Sequence, residues 1–247
     1  LVVCGPGNNG GDGFVVATAL RAENWPVQLA SLVPVDKLDG DARAVAEGWG
    51  REVGTFNDID WQAPDLIVDA IFGAGLSRPI EGDLARIVSR INNCGVPVVA
   101  VDMPSGVDGD SGEICGTAVE ADHTVTFFRA KPGHYLHPGK EHCGEVHVRD
   151  IGIHEDVLAE ISPQTSLNGP RLWGEALPLP DHNGHKYSRG AACVCSGGPF
   201  TSGAARLAAT AALRSGAGIV TVLSPGEAMQ VNACHLTEVM LRRADNG

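Results

Sequence analysis

Three short apolar runs each break into a loop rich in glycine and carboxylates. Leu1 to Cys4 precedes "GPGNNGGDG", Leu66 to Phe72 precedes "GAGLSRPIEG", and Val96 to Val101 precedes "DMPSGVDGDSG". Runs of this length bounded by turn residues read as buried strands. Val27 to Val33, Val125 to Phe128 and Val146 to Ile151 read the same way. Between strands the pattern turns helical. Phe14 to Ala22 is largely apolar, Asp41 to Trp49 has helical composition, and Leu84, Ile87, Val88 and Ile91 recur at helical spacing. Strands alternating with helices predict an α/β fold, a Rossmann-like three-layer sandwich around a mostly parallel sheet. In such sheets ligands bind beyond the carboxyl ends of the strands, where the topology switches direction. The three loops converge on that edge.

Within the first loop, Gly5-Pro6-Gly7-Asn8-Asn9-Gly10 fits G-x-G-x-x-G between a strand and a helix. Glycines there let backbone N–H groups approach a phosphate. Asp12 argues against a plain cofactor site, because a carboxylate about 4 Å from a pyrophosphate is repelled by roughly 1–4 kcal/mol. A dehydrogenase also needs an acid ending its second strand, and Asp36 lies late, behind Pro34. A helix-capping role for Asp12 stays open. Asp69 sits inside an apolar strand, costly unless it is paired, hydrogen-bonded or ligating a cation. Gly73 and Gly75 allow close backbone approach, and Arg78 suits a phosphate. Asp102 closes the fourth strand and Ser105 follows a proline. Asp108 and Asp110 read as solvated turn formers, since the spacing of a calcium loop is missing. Asn9, Asp69, Asp102 and the Ser105 region thus gather oxygen ligands at one sheet edge. Carboxylates brought together there share a proton or hold a cation, which also offsets the charge of Asp12.

Bulk properties exclude several classes. Formal net charge is −12, so nucleic acid and anionic membrane surfaces are not expected partners. No apolar run approaches the roughly 18 residues of a membrane span. The seven cysteines are odd in number and irregularly spaced, which reads as reduced thiols in a cytoplasmic setting. His134, His137, His142 and His147 are interrupted by Pro and Gly and read as surface histidines, not a zinc site. The chain opens inside a strand-like run, which reads as a fragment without its natural start.

Composition shifts after Ser162. Residues 163–184 carry four prolines with polar residues and glycine, and read as a linker. A second strand–loop–helix–strand pattern then begins, with Ala191 to Cys195, "SGGPFTSG", Ala204 to Leu213 and Ile219 to Leu223. It reads as the start of an incomplete second α/β domain, residues 185–247, behind a first domain over 1–162.

The order of "VVCGPGNNGGDGFVVATAL", "VDAIFGAGLSRPIEGDL", "VVAVDMPSGVDGDSGE" and "TFFRAKPGHYLHPGKEHCGEVHVRDIGI" resembles the NAD(P)H-hydrate epimerases over residues 1 to about 155. The stretch "HKYSRGAACVCSGGPFTSGAARLAATAALRSGAGIVTVLSP" is similar to the start of the ribokinase-like, ADP-dependent NAD(P)H-hydrate dehydratase domain that follows the epimerase in bacterial bifunctional repair enzymes. The resemblance implies epimerisation of R and S NADHX and NADPHX, nicotinamides hydrated at C6. It implies dinucleotide contacts from Asn8, Asn9, Gly10, Gly11 and Asp12, from the loop Gly73, Ala74, Gly75, Leu76, Ser77, Arg78 and Pro79, and from Asp102. A potassium site would map onto Asn9, Asp69 and Ser105. Asp102 and then Asp12 are the candidate catalytic carboxylates. A homo-oligomer is implied for the full-length protein, and the ADP-dependent dehydration is expected to need more of the second domain than this chain holds. Two rival readings stay open: an NAD-dependent dehydrogenase and a non-enzymatic epimerase-like binding module.

Overall fold

Six of the apolar runs pair as parallel strands in one sheet. In chain order these are β1 (Val2–Cys4), β2 (Leu29–Ser31), β3 (Ile67–Ala70), β4 (Val98–Val101), β5 (His123–Phe127) and β6 (Glu145–Arg149), arranged β2-β1-β3-β4-β5-β6. These come from a computed structural model that describes residues 1–76, 78–177 and 183–245. The chain forms two compact units, Leu1–Ser166 and Leu167–Gly247.

Residue alternation along the strands splits the core of the first unit into two layers. Val2, Cys4, Val68 and Ala70 pack with Phe14 and Ala17 of α1 (Asn8–Ala22) and with Ala46 of α2 (Gly40–Gly48). Val3, Ile67, Val98 and Ala100 pack with Val88 and Ile91 of α3 (Gly82–Asn92). The sheet is therefore covered on both faces, and its strands read as near-continuous apolar runs for that reason. The chain leaves β1 outward to β2, then returns to β3 on the other side of β1. The switch point lies between β1 and β3.

One expectation is corrected. The sequence places Asn8 to Asp12 in a loop, but α1 begins at Asn8. Asp12 is therefore an interior helical residue, and the position before the helix is Gly7, which provides no side-chain cap. The glycines, poor helix formers on their own, are here because α1 lies very close to the strands. A Cβ on Gly10 would stand 2.0 Å from the Gly5 carbonyl oxygen, and one on Gly13 would stand 2.6 Å from the Ala70 Cβ.

In the second unit β7 (Ala191–Cys195), β8 (Ile219–Ser224) and β9 (Met240–Arg243) form a parallel sheet, with the helix Gly203–Arg214 between the first two. Ala209, Val220 and Val222 are its buried centre. β9 and the helix Met229–His235 have no counterpart in the sequence reading. Among the described residues no helix is long and apolar enough to cross a membrane, and all seven cysteines are free thiols.

Candidate active site

At the switch point a cavity of about 360 Å³ opens between the loops that follow β1 and β3. Gly7, Asn8, Asn9 and Asp12 line one side, Ile71 to Gly75 the other, and Asp102, Phe127 and Lys131 close it. The first N–H groups of α1 have no intrahelical partner, and its positive dipole end lies at this cavity. That arrangement suits an anionic group of a ligand.

Asp102 follows directly on β4 and adopts φ +66°, a left-handed conformation that Asp tolerates better than most residues. Its backbone is tied at both ends. The Asp102 N–H donates to the Val125 carbonyl at 2.7 Å. The Asp102 carbonyl lies 2.9 Å from Nε2 of His134, whose Nδ1 accepts from the Lys131 N–H at 2.9 Å. These partners require a neutral imidazole protonated at Nε2. Burial holds the His134 pKa below its ordinary value, favouring that neutral form.

The Asp102 carboxylate accepts three hydrogen bonds and keeps one lone pair of Oδ2 without a donor. Oδ1 accepts from Lys131 Nζ at 2.5 Å and from Thr126 Oγ1 at 2.9 Å, and Oδ2 accepts from the Ala74 N–H at 3.0 Å. Burial alone would push this carboxyl up, but donation from Lys131, Ala74 and Thr126 together holds it below the usual range. Asp12 is shifted the other way, by partial burial first and by the charge of Asp102 second. The cavity thus holds one carboxylate kept ionised and one that takes a proton more readily.

Beneath the cavity lies Asp69, fully buried in β3. It accepts from the Ser105 N–H at 2.8 Å, the Ser105 hydroxyl at 2.6 Å and the Ile71 N–H at 3.2 Å. All three donors are neutral. Desolvation therefore dominates and raises its pKa to about 6. Ser105 Oγ in turn accepts from the Phe72 N–H at 2.9 Å, tying the β3 and β4 loops together. In the cavity wall, the buried side-chain amide nitrogen of Asn9 has no hydrogen-bond partner.

Of the residues singled out by sequence, Asn8, Asn9, Asp12, Gly73, Ala74, Gly75 and Asp102 share the cavity wall. Gly10 and Gly11 do not line it. They are buried where α1 packs, Gly11 against Ala42 of α2. Leu76 packs on the α3-side core, while Arg78 and Pro79 are exposed outside the cavity wall. Ser77 lies outside the described residues. Asp108 accepts from the Asp110 N–H and from the Ser111 N–H and hydroxyl, a solvated turn as expected. β2 ends at Ser31, and Asp36 sits in the separate short turn Val35–Lys37, so the acid of a dehydrogenase fingerprint is not at the end of β2. A larger cleft of about 640 Å³ beside β2, lined by Arg51, Arg86 and Arg90, gathers none of the candidate site residues named from sequence.

Lys131 and His134 were missed as site residues. The sequence marks His134 as a surface histidine, but it is 1% exposed. The available signal was a lone Lys in "RAKPG", a Pro- and Gly-rich loop just past a strand end.

Residues 1–133 match the family described as YjeF-related protein N-terminus, and residues 192–247 match the family described as NAD(P)H-hydrate dehydratase. A bifunctional NAD(P)H-hydrate repair enzyme Nnr of Moorella thermoacetica is 36% identical, with 97% of this chain and 47% of that protein covered. The protein of the same name from Escherichia coli is 34% identical, with 92% and 44% covered. The chain spans about half the length of these relatives. An NAD(P)H-hydrate epimerase of Oenococcus oeni is 45% identical over 63% of this chain and 75% of its own length. The crystal structure of the yeast protein ynu0 shares the fold, with a TM-score of 0.54 and 24% identity over 64% of this chain and 69% of that one. The chain therefore belongs to the family of YjeF-related proteins, whose N-terminal domain it carries ahead of a segment from the NAD(P)H-hydrate dehydratase family.

Proposed function

We propose that the first unit epimerises the R and S forms of NADHX and NADPHX. One observation carries this reading: Asp12 and Asp102 line the same cavity and are driven in opposite directions. Environments that separate two carboxylates in this way divide the acid from the base. C6 of the hydrated ring bears both the ring nitrogen and a hydroxyl. Asp12 protonates that hydroxyl, the C6–O bond breaks, water leaves, and the nitrogen lone pair closes an iminium. Water adds from the other face and gives its proton to Asp102, and solvent returns the proton to Asp12. The negative charge of Asp102 faces the cationic intermediate. The N-terminal end of α1 receives a phosphate of the dinucleotide.

A potassium ion fits the oxygen-bearing residues at this end of the sheet. Asp69 is a buried carboxylate met only by neutral donors, and Asn9 has an unpartnered amide that can turn its oxygen inward. Asn9, Asp69 and Ser105 would hold the ion, an all-oxygen set suited to a hard cation. The ion would supply countercharge and stiffen the loops. We further assign residues 1–162 to the epimerase domain, 163–184 to a linker and 185–247 to the start of the dehydratase domain. ADP is assigned to the dehydratase of the longer protein, which we place in the cytoplasm as a homo-oligomer.

The test is a chiral chromatographic assay of R- to S-NADHX conversion, run with and without potassium. Asp102→Asn keeps a residue type at ease with positive φ, so the fold is expected to persist by circular dichroism. Turnover is expected to fall about 100- to 10,000-fold, the range for a lost acid–base group. Near-normal turnover by a folded variant overturns the assignment.

A further inference from the structure

At the other end of the sheet from the carboxylate pair, three ligating side chains meet on β5 and β6. His123 opens β5 and Glu145 opens β6, and the parallel register pairs them directly. His147 lies two residues beyond Glu145 and so shares its face. His123 Nδ1 stands 3.2 Å from His147 Nε2. The Glu145 carboxylate lies 3.8 Å from His123 Nδ1 and 3.7 Å from His147 Nε2. Among the described residues this is the one group of three or more His, Cys, Asp or Glu that converges closely enough to hold a metal ion. Thr126, which touches Asp102, lies three residues further along β5, roughly 10 Å at the rise of a strand. The cluster is thus distinct from the cavity.

We propose that His123, Glu145 and His147 form a divalent transition-metal site of the zinc class. Two nitrogens bound to one tetrahedral zinc at about 2.0–2.1 Å stand roughly 3.3–3.4 Å apart. The observed 3.2 Å is close to that spacing without any movement of the strands. The carboxylate needs only a side-chain adjustment, and Glu145 is exposed enough to make it. Solvent completes the tetrahedron. Zinc suits two imidazoles and a carboxylate better than magnesium or calcium, which prefer oxygen ligands. β6 is the outer strand of the sheet, and the ion would clip it to β5. Sequence spacing hides the site, because the partner of His147 lies 24 residues away on another strand.

Zinc and cobalt(II) titrations of the metal-free chain test the proposal. Cys193, Cys195 and Cys234 are exposed thiols that compete for zinc, so each is changed to Ser in the background protein. One ion per chain is expected by calorimetry, with cobalt(II) giving four-coordinate visible bands and no thiolate charge-transfer band. Changing a group that merely orients a ligand costs about 10- to 100-fold in affinity. His123→Ala, Glu145→Gln and His147→Ala are each expected to weaken binding at least about tenfold. Zinc is also expected to raise the thermal midpoint of the background protein and to leave that of His147→Ala unmoved. Absence of stoichiometric binding, or affinity unchanged in His147→Ala, overturns the proposal. In either case the 3.2 Å contact is a hydrogen bond between two imidazoles.

Discussion

Asp102 holds a left-handed backbone because His134 and Val125 tie down its two peptide groups, and Lys131 then finds its carboxylate already aimed. His134 supports that geometry only as a neutral ring, and this gives it a pH signature. Its folded pKa lies below the ordinary value of about 6.5. The unfolded chain therefore takes up the proton first. The contribution of His134 is complete above that pH and is lost as pH falls from there toward the folded value. Asp69 acts in the opposite sense, since a carboxyl raised to about 6 favours the folded state as pH drops. Comparison with His134→Gln separates the two. The stability gap between wild type and variant, measured by urea unfolding, should narrow between pH 7 and 5 by up to about 1.4 kcal/mol per pH unit. A gap that stays constant would mean that His134 does not titrate with folding. Asp12, Asp69 and Asp102 were legible as chemistry because carboxylates beside apolar strands stand out in one sequence. Lys131 and His134 were not, because they meet Asp102 across 29 and 32 residues, and only the sheet order reveals that.

Helix α1 shows why element boundaries were harder to read than element order. The order of the six strands and of α1 to α3 follows from apolar periodicity and composition, with the observed strands inside the runs expected, give or take two residues, while the short helices Gly139–His142 and Val157–Ile161 have no counterpart there. Asn8 to Gly13 defeats the same logic. Three of the first six positions of α1 argue against a helix by propensity, Gly10, Gly11 and Gly13, and Gly7 precedes them. Tertiary packing overrides propensity here. A Cβ on Gly13 would meet the Ala70 Cβ at 2.6 Å and Cys4 Sγ at 2.7 Å. Gly13→Ala should thus destabilise the protein although alanine is the better helix former by about 1 kcal/mol. Overpacking at a close helix–sheet contact costs about 1–3 kcal/mol. The net loss, read from the denaturant midpoint, should be up to about 2 kcal/mol. An increase in stability would show that α1 can move off β1 and β3 freely.

At the scale of the whole molecule, the sheet order decides what the scattered residues can do together. Reversal of direction between β1 and β3 opens a crevice where the loops after β1, β3 and β4 meet. Asp69 is buried below it without a cationic partner among its hydrogen bonds, in a chain whose formal charge is already −12. An ion that binds only the folded chain must stabilise the whole by mass action. Potassium at one hundred times its dissociation constant would add about 2.7 kcal/mol. That corresponds to a rise of several degrees in thermal midpoint for a unit of this size. Choline chloride at equal ionic strength controls for general screening of the acidic surface. The rise should vanish in Asp69→Asn, which keeps the shape of the side chain but removes the charge that the ion would balance. If potassium and choline give equal midpoints, or if Asp69→Asn responds like the wild type, the ion is not held by Asn9, Asp69 and Ser105. The buried carboxylate then stands on its three neutral hydrogen bonds alone.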